Sequence, residues 1–89
     1  MKQAMKDLLQ KFIERDFSAY EMQMVIGAIT DVEQDYKMIA FHRKHDDVEM
    51  VLKDKYELQN DMDDLREQLD NLGLTYDVKD LVDDRSVEV

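Results

Sequence analysis

Residues 42–50, HRKHDDVEM, hold the densest group of side chains in the chain that could do chemistry. His42 and His45 stand three positions apart, so on a helix they could meet one metal ion. The patterns that turn such a pair into a working site, HExxH or a tight cluster of further ligands, are missing. Each charge in the stretch has instead a local structural reason. His42, Arg43, Lys44 and His45 would meet the negative end of one helix dipole, and Asp46, Asp47 and Glu49 the positive end of the next. Asp46 would cap that second helix, with Glu49 as its reciprocal partner. Residues 42–46 therefore read as the turn of a helical hairpin. The near-neutral titration of histidine leaves a pH-responsive tip as an alternative.

Carboxylates form the second candidate group. Asp31, Glu33 and Asp35 fall in one segment, and Asp61, Asp63, Asp64 and Glu67 in another. Facing helices that carry carboxylates can bind Mg²⁺ or a di-metal centre. That chemistry needs Glu or His pointing inward within the apolar stripe. Here Asp61 and Glu33 only border it, and Asp63 and Asp64 face outward. A solvated acidic face accounts for them, and neither a metal nor another cofactor is expected. An EF-hand is excluded by spacing. With no cysteine, nucleophiles would have to be Ser18, Thr30, Thr75 or Ser86. None has a Ser-His-Asp or G-x-S-x-G setting, and no phosphate-binding glycine motif is present. A non-enzymatic protein is expected.

The elements that would position these groups follow from apolar spacing. Met5, Leu8, Leu9, Phe12 and Ile13 make one stripe at three and four spacing, predicting a helix over 2–16. Ser18 with Glu21 is a capping box, and Phe17 precedes it where it could staple against Met22. A helix over 19–44 follows, with Met22, Val25, Ile29, Val32, Tyr36 and Ile39 in heptad rhythm. Gly27 lies on its outer side, at a cost of about 1 kcal/mol relative to alanine; a helix crossing close by would be one reason for it. Val48, Val51, Lys55, Leu58, Met62, Leu65, Leu69 and Leu72 give a helix over 47–72, closed by Gly73 and Leu74 as a Schellman cap. Lys55, at a seam position, could set register or oligomer order.

The two heptad frames differ in phase, and the slip falls within residues 42–47. A hairpin explains it. One bent or continuous helix that dimerises through both seams is the competing form, since the turn lacks glycine and proline. Beyond Gly73, a short helix over 78–83 capped by Asp77 competes with an extended segment, and 83–89 reads as a flexible acidic tail. The expected fold is all-α: a small three-helix domain, residues 1–82, built on a long antiparallel, coiled-coil-like hairpin.

Charge distribution narrows the function. The 89 residues carry a formal net charge of −10. Residues 1–45 hold seven basic and seven acidic groups; residues 46–89 hold five and fifteen. A strongly negative half repels nucleic acid and membrane surfaces and attracts basic ones. The N-terminus reads as neither a signal peptide nor a transmembrane span, and the absence of cysteine suits the cytoplasm. The expected function is that of a small regulator or inhibitor acting by protein–protein contact. Asp54, Glu57, Asp61, Asp63, Asp64, Glu67 and Asp70 would meet a basic partner surface, with a nucleic-acid-binding enzyme and DNA mimicry as one specific form. Val48, Leu52 and Tyr56, a second apolar stripe at spacing four, would with Lys55 serve self-association, in a homodimer, or anchoring. The alternative is a structural or assembly protein that forms a coiled-coil oligomer.

Overall fold

The computed structural model describes residues 2–82. They form four helices: α1 (Gln3–Glu14), α2 (Ala19–Lys44), α3 (Val48–Asn71) and α4 (Val78–Leu81). The three-helix expectation is thereby corrected. The fourth helix is a single turn, yet it belongs to the core: Val78 and Leu81 are buried, and the Asp77 carboxylate accepts from the Lys79 backbone N–H at 3.0 Å to start it. The tail expected over 83–89 lies outside the described residues.

All three major helices end in the same way. The residue after each C-cap takes a left-handed conformation: Asp16 (φ 52°), Asp46 (φ 55°) and Gly73 (φ 69°). In each case two backbone bonds close the end. Asp16 N–H donates to Ile13 and Phe17 N–H to Phe12; Asp46 N–H to Arg43 and Asp47 N–H to His42; Gly73 N–H to Asp70 and Leu74 N–H to Leu69. These are Schellman motifs. Aspartate is among the few residues other than glycine that visit this region, so the chain turns twice without glycine or proline. The expected role of Asp46 as the cap of α3 is corrected for this reason. It terminates α2, and Asp47 caps α3 by accepting from Met50 N–H at 3.2 Å. The capping box of α2 forms as read: Ser18 Oγ accepts from Glu21 N–H, and the Glu21 carboxylate from Ser18 N–H. Phe17 packs edge-on against Phe12, with ring centroids 5.9 Å apart.

α2 and α3 fold back on one another as an antiparallel hairpin of nearly equal arms, which sets aside the continuous helix within this chain. The molecule measures 46 × 22 × 19 Å, and 26 residues of α2 at 1.5 Å each account for most of the long dimension. The core fills only the base of the hairpin. Leu8 and Phe12 from α1 pack there with Val25, Ala28, Ile29, Val32 and Tyr36 of α2 and Leu65 and Leu69 of α3. Leu74, Val78, Leu81 and Val82 close it from below. The Tyr76 hydroxyl donates to Asp7 at 2.5 Å, and Lys11 pairs with Asp7 and lies over the Tyr76 ring. These contacts tie α1 to the segment before α4. Ile13, placed by spacing on the apolar stripe of α1, is 75% exposed beside the turn.

Candidate functional site

Toward the tip, the hairpin seam changes character. Beyond Tyr36, the side chains of α2 that point at α3 include Ile39 and His42; on α3 the buried position is Asp54. His42 Nδ1 lies 2.5 Å from Asp54 Oδ2, and both residues are buried. The imidazole N–H donates and the carboxylate accepts. Asp35, four residues before Ile39, is also buried, at 8% exposure, and its Oδ2 has no hydrogen-bond partner. Burial first, then Asp61 at hydrogen-bonding reach and the charges of Asp61, Glu57 and Asp31, push Asp35 up to about 8.

These positions correct the acidic-face expectation at Asp54. Asp54 is not on the surface; it sits in the seam against His42. Asp61 is half-buried at the seam's edge. Glu57, Asp63, Asp64, Glu67 and Asp70 are exposed, and Asp63 accepts from Arg66 at 3.0 Å and Gln59 at 3.1 Å. Two of the expected seam residues also move outward. Val48 is 69% exposed, and Lys55 is exposed too. The cause is helical drift: a straight helix at 3.6 residues per turn leaves a strict 3.5 repeat after a few turns. At the tip the inward line therefore runs Val51, Asp54, Leu58 instead of Val48, Val51, Lys55. Lys55 does not occupy the intramolecular seam, so it does not set the hairpin's register.

The second apolar stripe is placed as the spacing indicated. Val48, Leu52 and Tyr56 are 69%, 63% and 71% exposed on the face of α3 turned away from α2. Steps of three and four continue that line through Gln59 to Asp63, Glu67 and Asp70. One helix face is thus apolar in its first half and acidic in its second, with Glu57 and Asp64 along one flank. Beside the apolar half, Val48, Val51, Leu52 and Lys55 line a shallow hollow of about 290 Å³ edged by Arg43 and Asp47. Of the expected turn residues, His42 is buried, while Arg43, Lys44, His45 and Asp46 are exposed at the tip. The His45 ring lies 4.5 Å from that of Phe41.

Two features escaped the spacing analysis, the His42–Asp54 pair and the burial of Asp35. The signal for both was present. Asp35 stands three after Val32 and four before Ile39, and Asp54 three after Val51 and four before Leu58. Reading the stripe as apolar letters alone passes over charged residues at inward positions.

Among the described residues, no group of three or more His, Asp or Glu side chains is placed to hold a metal ion. No helix among them is long and apolar enough to cross a membrane. No family model, no curated protein and no solved structure matches the chain.

Proposed function

We propose that this small all-α protein works by protein–protein contact, without chemistry of its own, and that the outer face of α3 is the contact surface. Its partner presents an apolar recess next to a basic patch. The observation that carries this reading is the exposure of Val48, Leu52 and Tyr56 in one line with Asp63, Glu67 and Asp70. Three large apolar side chains standing this far into water on one helix face are costly unless something covers them. Aromatic and aliphatic anchors supply binding energy at the centre of an interface, and charges along its edge steer encounter. A nucleic-acid-binding enzyme fits the electrostatic half of this description, since its active surface is basic; inhibition by occupying that surface is the specific form we favour.

A second copy is a less favoured occupant. Two chains of formal charge −10 repel one another. The three-residue stripe is also small beside the roughly 800 Å² per partner of a stable interface. The coiled-coil assembly reading has less support still, because the hairpin uses the inner stripes of α2 and α3 on each other.

The test places a photo-crosslinking residue at Asn60, between the two halves of the face, in host cells. Crosslinks should map to a Lys/Arg-rich surface of one protein. Both Leu52→Asp and the double change Asp63→Lys with Glu67→Lys should abolish them while leaving the helical content unchanged. Crosslinking that survives both changes would place the contact elsewhere.

A further inference from the structure

Midway along the hairpin, α2 buries the carboxyl group of Asp35 in the seam with α3, while Asp61 is half-buried and Asp31 and Glu57 are exposed. Asp35 is more than nine-tenths buried, and its Oδ2 is sealed from solvent with no donor. The charged groups that act on it are all acidic: Asp31 from its own helix, and Asp61 and Glu57 from α3. Two carboxylates at hydrogen-bonding reach cannot bond to each other when both are ionised, and burying a second uncompensated charge there is expensive. A proton on one of them supplies the missing donor and removes the repulsion. We propose that Asp35 and Asp61 form a proton-binding site that holds one proton between them at neutral pH as a working part of the hairpin seam.

Burial and then Asp61 raise Asp35 from the ordinary 3.8 to about 8. The folded chain therefore holds this proton more tightly than the unfolded chain does. Its contribution to stability is complete below pH about 4, shrinks as pH rises, and is gone once Asp35 has ionised in the folded state near pH 8. With the proton lost, two charges face each other across the seam, next to a tip that has only Ile39 as a fully buried apolar side chain. Alkaline conditions should loosen the distal hairpin before the base.

Carbon-13 NMR of the aspartate carboxyls, followed through a pH titration of the full chain, tests this directly. One carboxyl of the pair should ionise near pH 8, and Asp61→Asn should weaken proton binding by Asp35 about tenfold or more, because the amide donates and carries no charge. Asp35→Asn should keep the hairpin and flatten the fall in melting temperature between pH 4 and 8. Both carboxyls ionising below pH about 5 would overturn the proposal. So would late ionisation of Asp35 that is unchanged in Asp61→Asn, since burial alone would then explain it. Millimolar Ca²⁺ that ionises both groups at pH 7 would replace the proton with a divalent cation and overturn it as well.

Discussion

His42 and Asp54 show how much depends on one partner. Each is buried, and each is polar for no reason other than the other. Removing the carboxylate leaves an imidazole N–H without an acceptor in a sealed site. Asp54→Ala should therefore cost about 2 kcal/mol, measured by urea unfolding. Adding His42→Leu to that variant should recover much of the loss, since an apolar pair of similar shape removes the stranded donor. Tyr56 sits at the opposite extreme. At 71% exposure it contributes little to the fold. Tyr56→Ala should leave the melting temperature nearly unchanged and weaken the crosslinked partner's binding by about 2 kcal/mol, roughly 30-fold, measured by calorimetric titration. The exposed stripe was legible from a spacing of four. For the buried pair, spacing put Asp54 on the inward line, three after Val51 and four before Leu58, but which residue stands opposite it on the facing helix was not legible.

At the scale of elements, the helices are set by local chemistry that reads well from sequence. The capping box and the Gly73 terminus are placed as their residue types demand. The aspartate termini at Asp16 and Asp46 are harder, because aspartate is also a common N-cap, and Asp46 and Asp47 stand side by side. Which one caps and which one turns depends on where the His42 carbonyl finds its donor. Asp46→Gly should stabilise the hairpin by about 0.5–1 kcal/mol, because glycine takes the left-handed conformation without strain. A methyl group at Gly27 would meet no atom within 4 Å, and no helix among the described residues crosses there. Gly27→Ala should add about 1 kcal/mol, read as a shift in the urea midpoint at constant slope.

For the whole molecule, the uneven filling of the hairpin governs dynamics. The base packs four helices around one apolar cluster. The tip packs two helices around Ile39, an imidazole–carboxylate pair and a half-exposed Val51. Local stability follows the density of buried apolar contacts. Amides of residues 37–57 should exchange with solvent well before those of residues 25–36 and 62–69, measured by native-state hydrogen exchange at neutral pH. Uniform protection along both arms would contradict it. Val48, Leu52 and Tyr56, the anchors proposed above, lie on the half expected to be softer, where the tip would adapt to the proposed partner while the base holds the fold.

The amino-acid order by itself determined the helical class, the two long arms, the capping box of α2, the Gly73 terminus of α3, the region where the arms fold back and the excess of negative charge in the second half. All of these depend on neighbours within a few residues, through helix periodicity, capping and dipole effects. Tertiary packing alone decided that a fourth turn of helix joins the core, that Asp54 leaves the acidic face for His42, that Lys55 leaves the seam for water, and that Asp35 is buried in the seam. Each of those outcomes depends on which side chain stands opposite on another helix, and on the slow rotation of a 3.6-residue helix away from a 3.5-residue repeat.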